Sequence, residues 1–404
     1  MKRRRFLAAL LAAAVLCPLA ALAAGEKNVD NLPIGNLEGF ESSITWFGED
    51  FAYDITDEEA CWELLQRPIT VLDVSEKEVV YPRVSPNGEK VVNEWMGGSI
   101  NGSLAAVHVL GEDEDGWTLI EGMDYYDRII RGYVKTSLLK TVTPNNKYGI
   151  IIDKLTQRLY MFIDGKLWSS CAVSTGLPNK DQPYNETAAG EYLIGSWVGG
   201  FDSEGMYCEM GIRFNGGDLL HQVPYVEFAD GTKDFGKYGS QLGRKASHGC
   251  VRVTRTANDE GLCISWLWEN LKKNTKVVVW DDDGRTLPYP DDDLEVYYNP
   301  DGGTSYHATA TCRSVRDKYL PLTAFTYGEL DSGKYASLTG CTNCIPVKRR
   351  AEIDEINQER IDLGELLKNP VYTGGATTGG GAQADGSAAS DSPEASDGVT
   401  ITIR

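Results

Sequence analysis

From residue 67 to residue 281 the chain is a succession of short apolar runs separated by turn-forming clusters. This rhythm constrains the fold more than any other feature. Runs of this length suit strands, whereas helices need longer stretches with a 3.6-residue period, so a mostly β architecture is expected. Residues 69–74, 104–110, 116–120 and 132–134 read as strands, with turns at Pro86-Asn87-Gly88 and Gly97-Gly98. Residues 148–153, 157–163 and 166–174 follow, the last two flanking Asp164-Gly165, a pair suited to a two-residue hairpin turn. Residues 177–189 read as loop, 190–195 and 276–280 as strands, and 259–271 as a helix. His108 alternates with apolar neighbours and reads as a structural strand residue.

The 404 residues exceed what one ordinary core organises, so several modules are expected. Lys2, Arg3, Arg4 and Arg5 precede an almost wholly apolar run from Phe6 to Leu19, and Ala21-Leu22-Ala23 offers small residues for cleavage. That layout is a secretory signal peptide over 1–23, which predicts an exported protein of the cell envelope or exterior, without tight membrane association after cleavage. A retained anchor is the other reading, since the apolar run is of borderline spanning length. Losing four basic residues takes the formal charge from −20 to −24. Such a chain has no general attraction for nucleic acid or anionic lipid.

In the leader, residues 24–66, Thr56-Asp57-Glu58-Glu59 supplies a cap and acidic first turn for a short amphipathic helix. Gly116-Trp117, a variable loop, Gly132-Tyr133-Val134 and Ser137-Leu138-Leu139 together resemble a bacterial SH3-like domain, which implies a small β-barrel over 67–141. The Asp-rich stretch 282–293 reads as a solvated acidic linker rather than a calcium loop, because EF-hand spacing is missing. A helix is expected over 348–370. The tail, 371–404, is dominated by Gly, Ala, Ser, Thr and Asp and is expected to be disordered.

The chemistry concentrates in Ser247-His248-Gly249-Cys250-Val251-Arg252 and in the upstream Leu219-Leu220-His221-Gln222-Val223-Pro224. A thiol attacks only as thiolate, so it needs a base, a nearby cation or backbone N–H groups. His248 and Arg252 flank Cys250, and Gly249 permits a tight turn. These residues alone leave catalysis and a buried structural cysteine both open. The motif, with its isolated upstream histidine, resembles the signature of YkuD-type L,D-transpeptidases. So do Ile152-Asp153 with Arg158-Leu159-Tyr160, Asp164-Gly165-Lys166, Ser174-Thr175-Gly176 and Thr187 with Gly190-Glu191-Tyr192.

The resemblance implies a β-sandwich-type catalytic domain over 147–281 after the SH3-like barrel. It implies Cys250 as nucleophile and His221 as general base, with the imidazole oriented by the backbone carbonyl of Gln222. Ser247 and His248 would shape the pocket, and the N–H groups of Gly249 and Cys250 would form an oxyanion hole. Arg252 would hold the loop or bind a substrate carboxylate. The implied partners are peptidoglycan stem peptides, with carbapenem reactivity and no cofactor for catalysis. An inactive wall-binding scaffold and an L,D-carboxypeptidase or endopeptidase are the alternatives. Gln222 replaces the family's usual glycine, and a long insert, 227–244, separates the two motifs as a candidate lid.

A small module, 297–347, carries His307, Cys312, Cys341 and Cys344. Three thiols and an imidazole make the ligand set of structural zinc, while disulfides in an oxidising compartment or free thiols are the other readings. Cys61, Cys171, Cys208 and Cys263 are expected to be core residues, with Cys208 away from the reactive thiol. Trp197, Trp266, Trp268 and Trp280 are expected in the core rather than as glycan platforms.

Overall fold

The computed structural model describes residues 52–368, apart from 76–77, 92–98, 102, 112–114, 124–128, 180–184 and 204. The segment expected to be a signal peptide, the turn expected at Gly97-Gly98 and the tail expected to be disordered lie outside the described residues.

Helix α1 (Glu58–Gln66) starts where the Ala60 N–H donates to Asp57 Oδ1 at 3.0 Å, with Glu58 and Glu59 in the electropositive first turn. The buried side of α1, formed by Cys61, Leu64 and Leu65, packs against Ile151, Phe162, Val278 and Trp280 of the later domain. Lys276 Nζ caps its other end, donating to the carbonyls of Leu64 and Arg67 at 2.8 Å each. The helix expected in a separate leader is therefore built into the second domain.

Seven strands follow: β1 (Ile69–Asp73), β2 (Val79–Val80), β3 (Ile100–Asn101), β4 (Ser103–Gly111), β5 (Trp117–Met123), β6 (Ile129–Lys135) and β7 (Leu139–Val142). Five form an antiparallel sheet in the order β6-β5-β4-β1-β7, and β2 pairs with β3. Leu72, Val80, Val91, Ile100, Val107, Ile120, Ile130 and Val134 make their common core. His108 of β4 lies opposite Glu121 of β5, whose buried carboxylate also accepts from Arg131 Nε at 2.8 Å.

The second domain contains β8 (Tyr148–Asp153), β9 (Arg158–Ile163), β10 (Lys166–Ser174), β11 (Gly190–Leu193), β12 (Trp197–Ser203), β13 (Met206–Asn215), β14 (Asp218–Gln222), β15 (Val226–Glu227), β16 (Lys233–Asp234), β17 (Val251–Val253) and β18 (Lys276–Trp280). Nine of these run in the order β11-β18-β8-β9-β10-β17-β14-β13-β12. Strand β10 belongs to both halves: residues 166–172 pair with β9, and Val173 and Ser174 pair with β17. The sheet thus curls over one core, which joins Ile150, Ile152 and Val277 of one half to Ile212, Leu220 and Val251 of the other. Alternation along β8 sends Ile150 and Ile152 into that core and Ile151 under α1.

Sequence reading predicts no strands over 197–222, where β12, β13 and β14 form. Gly199-Gly200, Gly205 and Gly216-Gly217 interrupt the apolar pattern there. The helix expected over 259–271 shrinks to α3 (Ile264–Asn270), because Gly261, at φ +96°, turns the chain first. Trp280 is fully buried, and Trp197, Trp266 and Trp268 pack at the core margin.

The third unit pairs β19 (Glu295–Tyr298), β20 (Ser305–His307), β21 (Thr323–Thr326) and β22 (Thr339–Gly340) in the order β21-β19-β20-β22. A compact core of Val296, Tyr298, Tyr306, Phe325, Tyr327, Leu330 and Leu338 sits beneath it. Between α2 (Gly236–Gly239), in the insert, and α4 (Arg350–Lys368), the chain corrects one expectation: Asp282 is not solvated. It is buried, with Oδ2 at 2.9 Å from Lys245 Nζ and 2.8 Å from Arg360 Nε. Asp282 serves as an electrostatic anchor for α4, because a buried carboxylate persists only where cations compensate it, whereas Asp283, Asp291, Asp292 and Asp293 are exposed as expected.

Candidate active site

The parallel pairing of β14 with β17 brings the two motifs together. His221 lies opposite Arg252, and Gln222 opposite Val253. Cys250 immediately precedes β17, two residues before Arg252. Side chains two apart in an extended chain share a face, and neighbouring strands lie about 4.8 Å apart. The pairing therefore places His221, Arg252 and Cys250 on adjoining positions of one sheet region.

His221 is buried, and its Nδ1 lies 2.6 Å from the Gln222 carbonyl oxygen. A carbonyl can only accept, so Nδ1 carries the proton and Nε2 is left as the basic nitrogen. Burial, reinforced by the Arg252 charge, pulls the imidazole pKa down to about 3. The ring is neutral at neutral pH, as a proton acceptor must be. Phe201 meets it edge-on, with ring centres 5.3 Å apart. The Gln222 side-chain Nε2 is buried with no hydrogen-bond partner among the described residues.

The turn carrying the thiol is closed by its own residues. Ser247 Oγ donates to the Cys250 carbonyl at 2.5 Å, and the Gly249 N–H points at Ser247 Oγ at 3.3 Å. Of the two N–H groups expected to form an oxyanion hole, Gly249's is thus directed to a hydroxyl. Gly249 adopts φ +122°, and a Cβ there would sit 2.7 Å from Asp218 Oδ1. Its carbonyl accepts from Thr187 Oγ1 at 2.5 Å, while the Gly176 N–H donates to the same hydroxyl oxygen at 2.8 Å. His248 and Cys250 are half-buried.

Arg252 Nη1 donates to Gln241 Oε1 at 2.8 Å, and the guanidinium lies 5.5 Å from the Tyr238 ring centre. Ser174 Oγ donates to the Gln241 carbonyl at 2.7 Å. Arg252 therefore ties the end of the insert to the sheet. Within the insert, β15 pairs with β16, and Phe235 packs on Tyr225.

Cys171 and Cys208 are buried thiols whose pKa burial pushes up to about 12, and burial pushes that of Cys61 to about 11. Cys263 is buried as well. One expectation is corrected: Cys208 lies near Cys250. It forms an apolar cluster with Phe201 and Leu219, against which Cys250 packs. The antiparallel hairpin of β12 and β13 beside β14 brings it there, a contact that sequence separation concealed. Gln241, Asp218 and the Lys245 neighbourhood carried no motif. Thr187 did have a signal, as part of the threonine-glycine pattern.

Residues 147–279 match the family model described as the YkuD L,D-transpeptidase catalytic domain. The second domain is an L,D-transpeptidase catalytic domain of the YkuD type. Comparison with curated proteins gave no match. Among solved structures, the chain is similar to an L,D-transpeptidase (residues 123–326) from Xylanimonas cellulosilytica, at 20% identity and a TM-score of 0.24, covering 34% of this chain and 61% of that one. It is also similar to an L,D-transpeptidase from Mycobacterium smegmatis, at 10% identity and a TM-score of 0.26, covering 54% and 92%. A third is L,D-transpeptidase 3 from Mycobacterium tuberculosis with a faropenem-derived adduct, at 16% identity and a TM-score of 0.27, covering 44% and 79%. The chain thus spans less than two thirds of the Xylanimonas structure.

Proposed function

We propose that this protein is an exported L,D-transpeptidase that cross-links peptidoglycan through an acyl-enzyme on Cys250. The observation that carries the reading is the His221 imidazole, neutral, with Nδ1 held by the Gln222 carbonyl and Nε2 left basic, beside the strand that starts at the thiol. His221 Nε2 takes the Cys250 proton as Sγ attacks the carbonyl carbon of the L-centre of the diamino acid in a tetrapeptide stem. The carbon–nitrogen bond to the terminal D-alanine breaks, and that nitrogen leaves with the proton from His221. An amine of a neighbouring stem then attacks the thioester, giving its proton to the imidazole and regenerating the thiol.

Neither half-reaction consumes a cofactor. Ser247 and Thr187 hold the turn, Arg252 holds the insert against it, and His248 borders the pocket. The N–H groups of Gly249 and Cys250 are the oxyanion donors that the family resemblance implies, and the Gly249 N–H faces Ser247 Oγ. Water in place of the acceptor amine gives L,D-carboxypeptidase activity on the same thioester. The 67–141 sheet as an SH3-like domain and residues 1–23 as a cleaved export signal complete the proposed organisation.

Incubation with tetrapeptide muropeptides and mass spectrometry tests this reading. Dimers formed with loss of D-alanine support it, hydrolysis alone replaces it with the carboxypeptidase, and wall binding without turnover replaces it with a scaffold. A carbapenem, which acylates an activated thiol, should form a covalent adduct with the wild-type chain and none with Cys250→Ala. A full-occupancy adduct on that variant refutes the assignment.

A further inference from the structure

The third unit contains a site that the transpeptidase chemistry does not use. The ligand atoms of His307, Cys312, Cys341 and Cys344 all lie within 4.8 Å of one another. Parallel pairing of β20 with β22 makes this convergence: Ser305 lies opposite Thr339, Tyr306 opposite Gly340, and the Cys341 N–H donates to the Tyr306 carbonyl at 2.9 Å. The ends of the two strands therefore deliver His307 and Cys341 side by side. Cys344 returns on a tight turn closed by the Ile345 N–H donating to the Cys341 carbonyl at 3.0 Å.

The distances discriminate between a metal and a disulfide. With zinc–sulfur bonds near 2.3 Å and zinc–nitrogen bonds near 2.0–2.1 Å, tetrahedral angles put two sulfurs about 3.8 Å apart and sulfur and nitrogen about 3.6 Å apart. Cys312 Sγ and Cys341 Sγ are 3.9 Å apart, and Cys344 Sγ and His307 Nδ1 are 3.6 Å apart. A disulfide requires about 2.05 Å between sulfurs. The sulfurs are also surrounded by donors suited to thiolates. The Ala308 N–H reaches Cys344 Sγ at 3.3 Å, and the Asn343 N–H reaches Cys341 Sγ at 3.4 Å. Asn343 Nδ2 lies 3.6 Å from Cys312 Sγ, and Ser314 Oγ lies 3.1 Å from Cys312 Sγ and 3.3 Å from Cys341 Sγ.

The geometry points to a single tetrahedral zinc ion held by His307, Cys312, Cys341 and Cys344, closed to substrate and structural in role. Four protein ligands leave no open position, which separates this site from a catalytic zinc. A metal suits the size of this unit, since small units on few buried core side chains, here seven in the cluster, are ones that metals commonly stabilise. The knuckle also forms a wall. Thr309, Thr342, Asn343, Cys344 and Ile345 face Trp168 of the catalytic domain across a cleft of about 350 Å³. Zinc would therefore set the third unit's surface against the catalytic domain.

The purified full-length protein, prepared without chelator, should carry one zinc per chain by elemental analysis. Replacement by cobalt should give the visible ligand-field bands of a tetrahedral ion together with a thiolate charge-transfer band. Cys341→Ser and Cys344→Ser should lose the metal, whereas Cys250→Ala should keep it, so failure here is distinguishable from failure of the transpeptidase reading. Chelation should increase hydrogen exchange within 305–345 of the wild-type chain. Substoichiometric zinc with a Cys312–Cys341 or Cys341–Cys344 disulfide in unreduced peptide maps would overturn the proposal. So would an octahedral cobalt spectrum, and neither result depends on a variant folding.

Discussion

Lys245 lies two residues before the serine of the thiol-bearing turn, and its replacement by methionine tests how that turn is braced. Its ammonium is within 2.9 Å of Glu186 Oε1 and 2.9 Å of Asp282 Oδ2, and the side chain is 1% exposed. Around it, Lys154 and Arg360 supply the other cations, and Glu186, Asp281 and Asp282 the carboxylates. The cluster is formally balanced. Lys245→Met keeps most of the stem's volume but leaves one net negative charge with almost no solvent to screen it. Removing one partner of a buried ionic group costs about 3–5 kcal/mol. At about 2–4 °C per kcal/mol for a unit of this size, the melting point should drop by about 6–20 °C. Calorimetry on the full-length chain near neutral pH measures it. Glu186→Gln added to Lys245→Met removes one carboxylate charge from the unbalanced cluster and should restore part of the loss. A drop below about 2 °C, which corresponds to less than about 1 kcal/mol, would refute the claim that the cluster is energetically coupled.

Two further outcomes follow from the same geometry. Gly249→Ala forces a side chain into φ +122° and against Asp218, so stability should fall by about 1–3 kcal/mol and carbapenem acylation should slow; unchanged acylation and melting would show that the turn tolerates a Cβ. Burial opposes ionisation of Asp282, but Lys245, Lys154 and Arg360 outweigh it and hold the carboxyl below the usual range. The folded chain then binds fewer protons than the unfolded one, so this contribution is complete above the unfolded value of about 3.9 and is lost as pH falls below it. Urea midpoints should drop through that acid window, less steeply in Asp282→Asn, and a midpoint that rises on acidification would contradict the assignment.

Cys250 and His221 stood out as candidates because the motif Ser247 to Arg252 is contiguous and the upstream histidine is isolated among few. The hairpin at Asp164-Gly165 was legible because turn chemistry is local. The strands over 197–222 were not, since glycines there mask an alternation that only the neighbouring strands enforce. The helix at α1 was readable from its cap, but its packing partners were not, as they lie beyond an intervening domain.

What the sequence by itself determined is the mostly β character, the candidate thiol with its candidate base, and the set of three cysteines and a histidine near the C-terminal end. Each rests on residue identity and short-range spacing. Tertiary structure alone decided that His221 is neutral with Nε2 as the basic nitrogen, that Cys208 packs near Cys250, and that Asp282 is buried among cations rather than solvated. Those properties depend on burial and on charges brought together by strand pairing and by the docking of α4, and the free energy of an ionisable group is set by what surrounds it in space.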